Sequence, residues 1–157
     1  MKHRCYVFAV LLSIFIADNA IAQDHRFGIG FIVGEPTGLS AKLWTSQYNA
    51  FDFGFGWNNV ENRNESGTRA HFHMDYLWHS FNAIRSVEQF PLYYGVGGRL
   101  GSTVDNSTSL AVRGVFGIAW IPRQTPLDIF LEIVPSIELV PSSDFILDAG
   151  IGMRYFF

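Results

Sequence analysis

The chain has 157 residues, with 11 Lys and Arg against 14 Asp and Glu and a formal charge of −3 at pH 7. Charged residues and aromatics each make up 16% of it, whereas ordinary soluble domains carry about 25% charge. The mildly acidic balance without a basic patch argues against a nucleic-acid partner, and the single cysteine, Cys5, excludes a disulfide framework or a thiolate metal cluster.

The first element reads as a secretory signal peptide over 1–22. Met1-Lys-His-Arg4 is a basic n-region, and Tyr6 to Ile16 is apolar but too short to span a bilayer as a helix. Ala20-Ile21-Ala22 supplies the small-x-small cleavage pattern. Cys5 is not at the cleavage point, so a lipoprotein anchor is not expected. The mature segment, 23–157, has 135 residues with 9 basic and 13 acidic, a formal charge of −4. That length suits one domain. It contains no run of about 18 apolar residues, so no transmembrane helix is expected.

Eight period-2 segments follow. Strand 1 (27–33) sets Phe27, Ile29, Phe31 and Val33 against Gly28, Gly30 and Ile32. Strand 2 (38–45) separates Leu39, Ala41 and Leu43 from Ser40, Lys42 and Trp44. Strand 3 (50–58) opposes Phe51, Phe53, Phe55 and Trp57 to Asp52, Gly54, Gly56 and Asn58. Strand 4 (68–78) opposes Ala70, Phe72, Met74, Tyr76 and Trp78 to His71, His73, Asp75 and Leu77. Strand 5 (91–100) places Leu92, Tyr94, Val96 and Leu100 opposite Tyr93, Gly95, Gly97 and Arg99. Strand 6 (109–120) places Leu110, Val112, Phe116, Ile118 and Trp120 opposite Ala111, Arg113, Val115, Gly117 and Ala119. Strand 7 (127–138) sets Leu127, Ile129, Leu131, Ile133 and Ile137 against Asp128, Phe130, Glu132, Val134, Ser136 and Glu138. Strand 8 (145–157) sets Phe145, Leu147, Ala149, Ile151, Met153, Tyr155 and Phe157 against Ile146, Asp148, Gly150, Gly152 and Arg154. The segments between are rich in Gly, Pro, Asn and Ser, as turns require.

Eight such strands fit either a soluble barrel, apolar inside, or a transmembrane barrel, apolar outside. The composition of the faces favours the second. Ten of the 15 glycines fall on the less apolar face, where they make room inside a narrow barrel but would only weaken a solvent-facing strand. The other face carries more rings than an eight-strand interior holds. Trp44, Trp57, Trp78 and Trp120 all lie at strand ends, as an interfacial aromatic girdle requires, and Tyr155 joins Trp57, Trp78 and Trp120 as an expected interfacial aromatic. The fold class read from the sequence is therefore all-β, an eight-stranded antiparallel up-and-down transmembrane β-barrel. Only closed barrels satisfy every backbone group in a membrane without helices.

The ending Ile151-x-Met153-x-Tyr155-x-Phe157 resembles the C-terminal signal read by the barrel assembly machinery, and the whole mature chain resembles the small eight-stranded outer-membrane barrels of Gram-negative bacteria. Gly34-Glu-Pro-Thr-Gly-Leu-Ser40, Asp75-Tyr-Leu-Trp-His79 and Pro91-Leu-Tyr-Tyr-Gly-Val-Gly-Gly98 further resemble a group of small exported proteins that implies a fold and supplies no function. The resemblance implies an outer-membrane address, contact with lipid and lipopolysaccharide, and the assembly machinery as a partner during biogenesis; the oligomeric state is open, with a monomer favoured. Lipid-modifying enzymes of this class use His with Ser. Here the position two after His71 is His73, which speaks against that chemistry.

The face expected to line the lumen is charged. Lys42, Asp52, His71, His73, Asp75, Arg99, Arg113, Glu132, Asp148 and Arg154 form its expected network, alongside Asp128 and Glu138. Charges of both signs in a narrow barrel should pair, because an unpaired buried charge is costly. His71, His73 and Asp75, at alternate positions of one strand, are the best chemical candidates, since His-x-His on a strand can chelate a metal and His beside Asp can act as a base. No third ligand or nucleophile is fixed by spacing. No catalytic residue, metal or cofactor is assigned, and the expected role is structural or envelope-interacting, with a lipid-modifying enzyme or narrow pore as the alternative. An even strand count puts both termini at one end, with loops 34–36, 59–67, 101–108 and 141–144 at the other, all short. Two features fit less well. The long 79–90 connection, with Phe81, Ile84, Val87 and Phe90, reads as a helical turn or small plug. Pro135 calls for a bulge or a barrel rim.

Overall fold

A computed structural model describes residues 25–62, 65–84, 86–102 and 108–157; the expected signal peptide, 1–22, lies outside them. Eight antiparallel strands run β1 (Phe27–Gly34), β2 (Gly38–Trp44), β3 (Asn49–Asn62), β4 (Glu65–Ser80), β5 (Leu92–Ser102), β6 (Thr108–Trp120), β7 (Leu127–Val140) and β8 (Asp144–Phe156). Each pairs with its neighbour in sequence, and β1 pairs with β8, so the sheet closes into an up-and-down barrel without free edges. The closing seam runs from Gly28↔Phe156 to Gly34↔Gly150. The Phe157 amide continues it with a 2.9 Å bond to the Phe27 carbonyl.

The alternation fixes which side faces in, because successive side chains of a strand point to opposite faces. The apolar face points outward along every strand: Phe31, Phe116, Phe145 and Leu147 are 59–67% exposed. The opposite face is buried, with Lys42 and Asp128 at 0%. A solvated barrel with a hydrophobic core would show the reverse.

Inner glycines explain how so narrow a barrel closes around large side chains. Gly28, Gly54, Gly56, Gly117 and Gly152 are the cross-strand partners of Phe156, His73, His71, Tyr93 and Phe130. A Cβ on any of these glycines would collide with its partner's ring. Each ring therefore lies over the bare backbone of its neighbour, a pairing that pins register as well as saving space. At the β1–β2 turn, Gly34 adopts φ +132°, which favours glycine. The Thr37 hydroxyl clasps the turn, accepting from the Gly34 amide at 3.2 Å and donating to its carbonyl at 2.9 Å.

Three expectations need correction. The connection expected over 59–67 is largely strand: β3 and β4 stay paired out to Asn62↔Glu65, past the last β2–β3 pair at Gly38↔Gly56 and the last β4–β5 pair at His71↔Gly101. A two-stranded arm thus extends beyond the rest of the wall. The 79–90 connection forms no helical turn among its described residues; it is turn and bend with one bridge, Gln89↔Ile121. Pro135 lies at neither a rim nor a register shift. It pairs with Leu147 on β8, while the β6–β7 pairing passes from Arg113↔Ser136 to Phe116↔Ile133 and keeps its register. Gly114 stands opposite the proline, whose missing N–H falls in that unpaired stretch. The β6–β7 register shift comes instead between Leu110 and Ala111.

Candidate functional site: the barrel interior

The interior divides into four levels. At the end bearing the termini, an aromatic cap closes the barrel. The His79 ring lies 4.4 Å from that of Trp44 and 5.2 Å from that of Tyr93, and Phe81 adds a fourth ring 6.1 Å from Trp44. Trp44 therefore belongs to the inner face and not to an outer girdle, as its phase with Ser40 and Lys42 requires. His79 continues the inward phase of His71, His73, Asp75 and Leu77. Reading strand 4 one residue further would have found it.

Above the cap lies a dense charged cluster. Lys42 Nζ donates to Asp128 Oδ2 at 2.9 Å and lies 5.1 Å from the Tyr93 ring centroid. Arg154 spends all three nitrogens: Nη2 on Asp52 at 2.6 Å, Nη1 on Asp128 at 3.3 Å and Nε on Ser40 at 2.8 Å. Its guanidinium also rests 3.8 Å from the Phe130 centroid, a cation–π contact. Glu132 accepts from the Tyr93 hydroxyl at 3.2 Å. These contacts tie β2, β3, β5, β7 and β8 together across the lumen.

The middle level is polar but less well matched. Asp52 and Asp75 are direct cross-strand neighbours, an unfavourable juxtaposition that two different arginines relieve. Asp75 Oδ1 approaches Arg113 Nε at 3.1 Å, but not in hydrogen-bonding alignment; all three Arg113 nitrogens, Ser136 Oγ and His73 Nδ1 have no hydrogen-bond partner among the described residues. The His71 and His73 rings stack at 6.0 Å, leaning over Gly56 and Gly54. They share a face with Asp75, as the spacing predicts. Among the described residues, however, no three His, Cys, Asp or Glu side chains converge as metal ligands do.

At the end away from the termini, a vestibule of about 250 Å³ opens between strand ends. Arg99 and Asp148 form a 2.9 Å ion pair in its wall. Ser109 donates to Glu138, and His71 and Glu35 also line the cavity. Between vestibule and cap the lumen is filled: Arg113, Arg154, Lys42, Phe130, Leu77, Val115 and Val134 are each less than 2% exposed.

On the outside, Trp57, Trp120 and Tyr155 are 40–47% exposed, and Trp78 stacks on Tyr94 at 5.6 Å. Trp57 is at one end of the barrel and the other three are at the end bearing the termini. Ile151, Met153, Tyr155 and Phe157 all point outward, 47–64% exposed. Phe156, between them, is buried over Gly28. No family model matches the chain, and no curated protein or solved structure matches it.

Proposed function

We propose that the protein is an integral outer-membrane β-barrel with a structural or envelope-interaction role and no open pore. The observation that carries this reading is the inversion of the barrel: Phe31, Phe116, Phe145 and Leu147 are exposed, while Lys42, Asp128, Arg113 and Arg154 are buried. In water, that outer wall would be a continuous apolar patch far larger than a soluble monomer exposes. In a bilayer it is the surface lipid requires. Trp57 at one end and Trp78, Trp120 and Tyr155 at the other suit interfacial anchoring. The filled lumen argues for a plug and against conduction, since the cross-lumen ion pairs and the Trp44–His79–Phe81 cap obstruct any continuous path.

Cell fractionation with gel mobility of boiled and unboiled samples tests the address. A membrane-bound band that shifts on heating is expected; a soluble band that migrates identically either way refutes it. Reconstituted protein should leave a planar bilayer silent, and steady single-channel conductance would overturn the plug. The exposed Tyr155 and Phe157 rings, 5.1 Å apart, suit capture of the last strand by an assembly partner. Phe157→Lys should then lower the amount of inserted barrel, read by the same heat shift, without altering the interior of the molecules that do insert.

A further inference from the structure

The aromatic cap at the end bearing the termini is held by one imidazole with two polar partners. His79 Nδ1 lies 3.2 Å from the Tyr48 carbonyl, which also accepts the His79 amide at 2.7 Å. A carbonyl only accepts, so Nδ1 carries the proton. His79 Nε2 lies 3.5 Å from Lys42 Nζ. An ammonium only donates, so Nε2 offers it a lone pair. Together the two partners specify a neutral ring in one tautomer. Lys42 has no room to withdraw: it is fully buried, bonded to Asp128 at 2.9 Å and set against the Trp44 and Tyr93 rings. The other side of His79 is free to give way, because Thr45 to Tyr48 form an exposed turn. Among the described residues, the charges acting on the imidazole come from Lys42 on β2, Asp128 on β7 and Arg154 on β8. From β5 comes the Tyr93 ring, whose hydroxyl is bonded to Glu132. His25 and Arg26 share a cleft with Trp44 and Phe81.

We infer that the cap is an acid-released latch. Protonation of Nε2 replaces the acceptor facing Lys42 with a donor and sets two like charges 3.5 Å apart. Asp128 cannot neutralise both cations, since it already serves Lys42 and Arg154. The lysine is walled in, so the imidazolium swings toward solvent and gives up its contacts with Trp44, Tyr48 and Phe81. Behind it, the bonds of Arg154 to Asp52 and Asp128 remain. The latch therefore uncovers the end of the lumen without opening a pore. The inference rests on the cap and not on the membrane reading, so either can fail without the other.

The test uses the refolded mature barrel in uncharged detergent, carrying Trp57→Phe, Trp78→Phe and Trp120→Phe so that Trp44 is the one remaining tryptophan. At about pH 7.5, where an imidazole is ordinarily neutral, nitrogen NMR shifts should show the His79 ring protonated at Nδ1 only. On acidification to about pH 3, acrylamide quenching of Trp44 should rise about threefold as the cap opens locally. The rise should share its midpoint with His79 protonation and precede loss of the heat-shifted gel band. His79→Gln, which takes no proton, should abolish it. Lys42→Met should abolish it as well, because the imidazolium then meets Asp128 and no ammonium. His25→Gln should leave it unchanged. A His79 ring protonated at Nε2 at neutral pH, protonation of His79 without the rise, or a rise that comes only with loss of the folded band would overturn the inference. So would a rise that persists in His79→Gln or Lys42→Met, or one abolished by His25→Gln. If a variant does not fold, agreement or disagreement of the two midpoints in the barrel with His79 and Lys42 intact decides.

Discussion

Arg154 and Arg113 are both 1% exposed inside the same barrel, yet their surroundings differ in kind. Arg154 has a hydrogen-bonded partner for each nitrogen and an aromatic ring beneath it. Arg113 has one carboxylate at 3.1 Å, out of alignment, and no hydrogen bond among the described residues. Burial alone therefore does not tell whether a charge holds the barrel together. A buried charge stabilises only when its partners repay the loss of water, and a poorly matched pair can be replaced by apolar groups without loss. The lumen near the cap is built as a lattice of cross-lumen bonds. The level above it is polar without being tightly bonded.

The contrast is sharpest under substitution. Asp128→Asn should have the largest effect, because it strips Lys42 of its ion partner and Arg154 of one of its two. A loss of about 3–5 kcal/mol is expected, read as a lower urea midpoint for unfolding in lipid vesicles. Gly54→Val comes next: its side chain would occupy the space of the His73 ring, and overpacking of this kind costs about 1–3 kcal/mol. Combining it with His73→Ala should recover part of the loss, and strict additivity of the two would show that ring and glycine are not coupled. Replacing the Arg113–Asp75 pair together, Arg113→Met with Asp75→Leu, should change stability least, by about 1 kcal/mol or less in either direction. If it destabilises the barrel as much as Asp128→Asn does, the distinction between the two levels is wrong.

Much of the fold was legible in the sequence because a strand's period of 2 is a local property. The phase of Phe51, Phe53, Phe55 and Trp57 against Asp52, Gly54 and Gly56 already assigns each residue to a face, and the observed burial follows it. Element ends were harder to read. Polar residues such as Asn59, Glu61 and Asn62 carry no alternating apolar signal, so the extension of β3 and β4 was not visible. Trp44 shows a different difficulty: its position at a strand end suggested an interface, whereas its phase turned it inward onto His79. The His71 and His73 rings lie over Gly56 and Gly54, but whether they meet a third ligand depends on neighbouring strands, which spacing along one strand does not show.

By itself, then, the amino-acid sequence determined the strand count, the two faces of each strand and the mixture of glycine and charge on one of them. These follow from the pleat, which relates residues two positions apart. Only the tertiary structure decided which carboxylate meets which cation. Lys42 is the cross-strand neighbour of Asp52, yet it bonds to Asp128, and Arg154 takes Asp52 from the opposite wall. Those choices depend on closure of β1 onto β8 and on the register of all eight strands, which bring residues more than 80 positions apart within hydrogen-bonding distance.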